Sequence, residues 1–240
     1  MGRDSVRALV VQHDHVSPSG PVGERLRGRG FDITEVCVVP EERHLTPDVR
    51  FDFPDPREWD LVVPMGAPWS VDGPGVASWV EPELRMLAAA HDADVPVLGV
   101  CFGGQALAAA LGGRVERAPR AEMGWVGVET DDPELVGAGP WFQFHFDRWV
   151  LPPGAVEVAR SAVCSQAFVV GRSMGVQFHP EITAEQFGLW LENGAASHMR
   201  AKGVDPDAVM AEVKRTEADA ARRTHALVDA FLDRVAMPTP

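Results

Sequence analysis

The sequence predicts an α/β fold with a mostly parallel sheet covered by helices on both faces, and three observations carry that expectation. Short runs rich in Val, Ile and Leu, without polar alternation, recur through the first half of the chain, as strands buried on both faces do. Segments with helical spacing lie between them, the alternation that builds parallel sheets. The second half turns to aromatic and β-branched runs split by Gly/Pro turns, which suggest an antiparallel extension, and then to helical text.

The elements follow in order. Strands are expected at Val6–Gln12, Ile33–Val39, Leu61–Met65 and Val95–Cys101. Gly23–Arg29 reads as a short helix ending at Gly30. Trp79–His91 places Trp79, Val80, Leu84, Leu87 and Ala88 at helical spacing, with Pro82 in the first turn, where proline is tolerated. Gln105–Leu111 is a helix stopped by Gly112 and Gly113. Gly113–Glu129, Trp141–Leu151 and Val156–Val170 are the extension, and Ser173–His179 is a further strand halted by Pro180. Ala184–His198 reads as one helix. After the break at Gly203, Val204 and Asp205, a long helix spans Pro206–Val235, with Asp205 as its cap and Pro206 at its first position. The tail Met237–Pro240 should fray. No internal repeat or low-complexity linker appears, so residues 1–200 are expected to form one domain and residues 201–240 a helical C-terminal extension. Val209, Val213, Leu227, Phe231 and Val235 fall near one stripe, which favours packing on that domain over binding a partner.

Composition narrows the function classes. The chain has 240 residues, 22 Lys+Arg against 35 Asp+Glu, and a formal net charge of −13. That charge repels phosphates, so neither nucleic acid nor a membrane surface is an expected partner. The apolar share of 45% is that of an ordinary globular chain. Three widely spaced cysteines, Cys37, Cys101 and Cys164, make neither a disulfide framework nor a zinc pattern, so no metal is expected. The first residues hold only a short apolar run broken by Gln12, too short for a signal peptide or a membrane span. The expected compartment is the cytoplasm. Each cysteine is then either a small core residue, the common case, or a chemical one.

The segment Pro96–Gln105 bears on that choice. A buried strand ends at Cys101, and Gly103 and Gly104 open a helix directly after it. This is the layout of a nucleophile elbow, where small neighbours permit a sharp strand-to-helix turn. Free N–H groups at a helix N-terminus stabilise a thiolate and offer donors for an oxyanion. A core cysteine beside a Gly-rich turn fits the segment equally well. A second segment, Gly175–Glu181, delivers His179 from a strand, stops it with Pro180 and places Glu181 two residues on. A cysteine nucleophile needs a base and the base an orienting acceptor, roles that His179 and Glu181 fit. Taken alone, this segment fits a surface turn as well.

Together the two segments resemble the class I glutamine amidotransferase family. Its nucleophile motif G-x-C-x-G-x-Q corresponds to Gly99, Cys101, Gly103 and Gln105. Its G-x-Q-F-H-P-E motif corresponds to Gly175, Gln177, Phe178, His179, Pro180 and Glu181. Gly66-Ala67-Pro68-Trp69-Ser70 stands where the family has G-G-P-x-S, His145 and Asp147 where it has S-H-x-D, and Glu122-Met123-Gly124-Trp125 where several members have E-x-G-W. The resemblance spans roughly residues 60–181. It implies a flavodoxin-like sheet and hydrolysis of a γ-glutamyl amide: Cys101 attacks, His179 moves the proton, Glu181 holds the imidazole, and the backbone N–H groups of Ala67 and Phe102 bind the oxyanion. Gly66, Gln105, His145, Phe146 and Asp147 are the implied substrate contacts; His145 and Asp147 fit a structural hydrogen-bonded pair equally well. The sequence departs from the pattern at Ala67, which replaces the second glycine, and at Gly104, where members often carry His or Met. Phe144 and Phe146 make the glutamine side more apolar.

The resemblance also implies the working forms. The lead expectation is a stand-alone hydrolase acting on a small γ-glutamyl substrate, since only helical text follows Glu181. The alternatives are a subunit supplying ammonia to a separate synthetase, which would be its partner, and a non-catalytic binding module, which has no need of all three residues. Other candidates take bland readings. His13, Asp14 and His15 follow the first strand and read as a solvated loop at the substrate entrance, not a metal cluster. Cys37 and Cys164 read as core residues within apolar strands, and Trp69, Trp79, Trp125, Trp141 and Trp149 as core anchors. No P-loop or GxGxxG follows any strand, so no cofactor is expected.

Overall fold

The structure is a computed structural model that describes residues 6–236; the expectation for Met237–Pro240 lies outside the described residues. Five parallel strands form its centre: β1 (Val6–Gln12), β2 (Phe31–Cys37), β3 (Leu61–Pro64), β4 (Leu98–Val100) and β10 (Ser173–Val176). They run in the order β2-β1-β3-β4-β10, with β3 and β4 joined by the single parallel bridge Val62–Val97. Beyond β10 the sheet continues antiparallel through β9 (Ser165–Val170), β8 (Val156–Arg160) and β6 (Glu129–Thr130). Two longer strands, β5 (Arg114–Val126) and β7 (Trp141–Val150), pair as a separate antiparallel ribbon.

The side-chain alternation of β1 shows how the sheet is covered. Ala8 and Val10 enter a core with Val22 and Leu26 of α1 (Gly20–Gly28) and Leu227, Val228 and Phe231 of α6 (Pro206–Phe231). Leu9 and Val11 enter the opposite core, with Trp79 and Leu87 of α2 (Ala77–Asp92) and Ala106 and Leu107 of α3 (Phe102–Ala110). The parallel sheet with helices on both faces, the antiparallel extension and the C-terminal helix agree with the sequence expectation. A third core joins the ribbon to the later helices through Phe142, Phe187, Trp190, Met199 and Val213.

Several boundaries differ, each for a physical reason. β2 starts two residues before its expected position and is the edge strand, with Asp32, Thr34, Glu35 and Cys37 exposed. Cys37 is therefore not a core residue. Helix α1 begins at Gly20, three residues early, because Pro21 suits a first turn. Helix α2 begins at Ala77, so Pro82 lies in its second turn rather than its first and leaves the Ser78 carbonyl without its usual donor. The run 156–170 is two strands separated by a turn. That turn holds Cys164, buried there rather than within a strand. The single helix expected over 184–198 is broken: α4 (Ala184–Trp190) and α5 (Ala196–Ala201) meet at a kink where Gly194 has φ +107°. At the C-terminal helix, Asp205 accepts from the Asp207 N–H and Pro206 opens the first turn, as expected.

Candidate active site

The parallel strands end at one edge of the sheet, where such folds place ligand sites. After β4 the chain turns sharply at Cys101, with φ +49° and ψ −105°, a conformation glycine favours. Three contacts hold the turn. The Cys101 N–H donates to Val176 O at 2.7 Å, the Gly103 N–H to Met65 O at 3.0 Å, and the Gln105 N–H to Cys101 O at 2.9 Å. Gly103 has no alternative here, because a Cβ would lie 2.0 Å from Pro64 O.

His179 follows β10 and is fixed by its own N–H, which donates to Phe142 O of the ribbon at 2.8 Å. Its Nδ1 lies 2.7 Å from Glu181 Oε1, and both side chains are buried. Among the described residues, Nε2 has no partner other than the nearby Cys101 sulfur. Burial works against a charge on this ring, but the Glu181 carboxylate and the nearby Cys101 sulfur outweigh it and hold the His179 pKa well above the usual imidazole value. Trp190 packs edge-on against the ring at 4.8 Å between centroids. Gly66 approaches from β3 so closely that a Cβ there would sit 2.9 Å from His179 Cε1 and 3.9 Å from Cys101 Cβ.

A cavity of about 330 Å³ opens at this point, at the small end of ligand pockets. Cys101, Phe102, His179, Ala67, Gln105, His145, Phe146 and Asp147 all line it, whereas Gly66 and Glu181 stand directly behind that lining. The N–H groups of Ala67 and Phe102 make no backbone hydrogen bond among the described residues. The Gln105 amide donates to Asp147 O at 3.1 Å and to Gln177 Oε1 at 3.2 Å. Gln177 in turn reaches Cys101 Sγ at 3.6 Å. Asp147 accepts from Arg117, whose guanidinium lies over the Phe146 ring.

His145 belongs to a second, buried cluster. Its Nδ1 faces Asp147 O at 3.0 Å and its Nε2 faces Glu122 Oε2 at 3.1 Å. Ser161 and Gln166 donate to the same carboxylate oxygen at 2.9 and 2.8 Å. Burial raises the Glu122 pKa, and the hydrogen bond and charge of His145 outweigh it and leave it below the usual range. Cys164 completes a group of three possible metal ligands within 4.8 Å, yet the carboxylate is already satisfied by the protein's own donors. Burial, with the Glu122 charge beside it, pushes the Cys164 thiol up to about 12, so it stays protonated and inert.

The loop after β1 corrects the sequence reading. His13 and Asp14 are buried rather than solvated. His13 bonds to Glu83, seventy residues away in the chain, and to Gly66 O. The loop does reach the cavity, through Asp14, Val16 and Ser17. Sequence reasoning missed His13, because Glu83 gives no local sign of its partner. It also missed Trp190, Asn193 and His198, which line the cavity, because a helix across Gly194 gives no hint of facing a cavity. Gln177 was visible as a motif residue but carried no assigned role.

Among the described residues, no helix is long and apolar enough to cross a membrane. The family model for class-I glutamine amidotransferases matches residues 71–196. The glutamine-hydrolysing GMP synthase of Prochlorococcus marinus is 39% identical over 126 residues, which cover 48% of this chain and 24% of that protein. The Thermus thermophilus enzyme of the same name is 32% identical over 172 residues, covering 68% and 33%. The chain thus spans about a quarter to a third of the length of these relatives. A Thermotoga maritima glutamine amidotransferase superposes with a TM-score of 0.78 at 25% identity, over 96% of this chain and all of that one. A Methylobacillus flagellatus structure shares the fold, with a TM-score of 0.79, 24% identity and 95% coverage of both chains. The family match covers more than half of the chain and includes Cys101, His179 and Glu181: the chain belongs to the class-I glutamine amidotransferases, a family of enzymes.

Proposed function

We propose that this protein hydrolyses a γ-glutamyl amide through Cys101, His179 and Glu181. One observation carries the reading: a histidine paired to a buried carboxylate at 2.7 Å, its other nitrogen meeting no other partner than the Cys101 sulfur among the described residues, shares a cavity with that cysteine, which sits on a sharp strand-to-helix turn. In the proposed reaction Cys101 Sγ attacks the side-chain carbonyl carbon while His179 Nε2 takes the thiol proton. Negative charge collects on the carbonyl oxygen, facing the Ala67 and Phe102 N–H groups. Each such donor contributes about 2.7–4 kcal/mol of barrier lowering. The tetrahedral species collapses to a γ-glutamyl thioester as His179 returns the proton to the leaving ammonia or amine. Water, activated by the same ring, then releases glutamate and restores the thiol. Gln105, His145, Phe146 and Asp147 stand along the wall where the glutamyl group would lie, with Gly66 behind the reacting atoms.

A second reading has specific support. The curated relatives are glutamine-hydrolysing GMP synthases, of which this chain matches only a part; in that reading the chain supplies ammonia to a separate synthetase. Turnover of the isolated protein separates the two, since a hydrolase works unaided and an ammonia-supplying subunit is nearly silent alone. The site itself is tested with a diazo-ketone analogue of glutamine. The expected product is a single adduct on Cys101, lost in His179→Ala while the circular dichroism spectrum is retained. An adduct on Cys37 or Cys164 instead would sink the assignment.

A further inference from the structure

Gly66 and Ala67 share one peptide unit. It is trans, since the cis bond among the described residues is Gly139–Pro140, so its carbonyl and its N–H point in opposite directions. Fixing the carbonyl therefore fixes the aim of the Ala67 N–H. Gly66 has to be glycine, because a Cβ would strike His179. Glycine leaves the peptide free to rotate, so its orientation has to be imposed from outside.

His13 is placed to impose it. Its Nδ1 lies 3.2 Å from Gly66 O, and its Nε2 lies 2.9 Å from Glu83 Oε1 of α2. Both side chains are fully buried. Either proton arrangement of the pair leaves Nδ1–H as the donor to Gly66 O: an imidazolium beside a Glu83 carboxylate, or a neutral ring accepting from a protonated Glu83; the raised pKa of His13 favours the imidazolium. Burial opposes that charge; Glu83 outweighs it, and the ring keeps its proton above the ordinary imidazole range. Trp79 and Phe102 pack against the ring, with centroids 5.6 and 4.7 Å away. Phe102 is also the residue proposed above to supply the second oxyanion N–H.

We propose that His13 is a positioning residue for the reaction: it holds the Gly66 carbonyl so that the Ala67 N–H faces the developing oxyanion, and its positive charge polarises that peptide into a stronger donor. This rests on the reading of Cys101 as nucleophile and Ala67 N–H as oxyanion donor. Glu83 acts one step further back, holding the ring and balancing its charge.

The test uses two probes on the full chain. Inactivation by the diazo-ketone glutamine analogue requires attack beside a carbonyl held by the oxyanion donors. Alkylation of Cys101 by iodoacetamide requires a reactive sulfur but no such donors. His13→Leu keeps the bulk and removes the donor, whereas His13→Asn sets an amide N–H near the position of Nδ1. The leucine variant is expected to lose about 100-fold in the limiting inactivation rate, with half-saturation changed less than about threefold and iodoacetamide alkylation unchanged. The asparagine variant is expected to recover about tenfold of that loss. Equal rates in the two variants, wild-type rates in both, or a matching loss of iodoacetamide alkylation would overturn the proposal. If the leucine variant does not fold, the asparagine variant decides alone: about tenfold below wild type supports the role and a wild-type rate refutes it. Failure of the wild-type protein to react at Cys101 refutes the underlying reading, and this inference with it. Reaction at Cys101 that ignores His13 refutes only the inference.

Discussion

Cys101 occupies φ +49° and ψ −105°, a region that penalises every side chain with a Cβ by about 1–3 kcal/mol. The fold tolerates this because β4 and α3 are packed on both sides of the turn and three backbone hydrogen bonds hold it. Cys101→Gly is therefore expected to be more stable than Cys101→Ala by about 1–3 kcal/mol, measured by urea denaturation. Equal stabilities would mean that the turn carries no strain. The sequence marked this turn, since a strand, a cysteine and two glycines follow one another within a few residues, but it left a core cysteine equally open until the Gly175–Glu181 segment was added. It hid His13, whose neighbours Asp14 and His15 read as loop residues. The features that make His13 different, Glu83 and the Gly66 carbonyl, come from α2 and the end of β3. Local text reports a residue's own chemistry, not the acceptors that the fold carries to it.

At the scale of elements, β1 and β3 were legible because burial on both faces leaves an unbroken apolar run. The edge strand β2 was legible only in part: its exposed positions carry polar residues, and its apolar text is displaced toward Val38 and Val39, which are buried just beyond it. Helix α6 is tied to α1 by a chain of charges. Arg25 and Arg29 both bond to Asp229, and Arg29 also bonds to Asp233 at 2.5 Å. Burial pushes the Asp229 carboxyl up, but the arginine hydrogen bonds outweigh it and hold it below the ordinary aspartate range. A carboxyl depressed in the folded state contributes stability above its unfolded pKa and loses it as pH falls through the folded value. Asp229→Asn should therefore lower the thermal midpoint at neutral pH. The difference from wild type should shrink as the pH falls below the aspartate range. A gap that persists in acid would mean that the residue acts through packing and not through charge.

Across the whole molecule, the C-terminal helix is part of the core that supports the site. Leu227, Val228 and Phe231 share a hydrophobic cluster with β1, β4 and β10. Thr224 of the same helix sits 2.5 Å from Pro180 O, inside the turn that joins His179 to Glu181. Phe231→Ala should cost about 3–5 kcal/mol of stability, read from chemical denaturation; a loss under about 1 kcal/mol would show the helix to be a loosely attached appendage. The sources of the cavity wall have a different consequence. The residues proposed to handle the proton follow the ends of parallel strands, whereas Phe144 and Phe146 come from the outlying ribbon and Asn193, Ala195 and His198 from the helix broken at Gly194. The ribbon and the broken helix thus supply a large part of this wall, outside the strands that carry the proposed catalytic residues. A lineage can therefore redraw what the cavity admits by changing ribbon and broken helix, and inherit the chemistry unaltered.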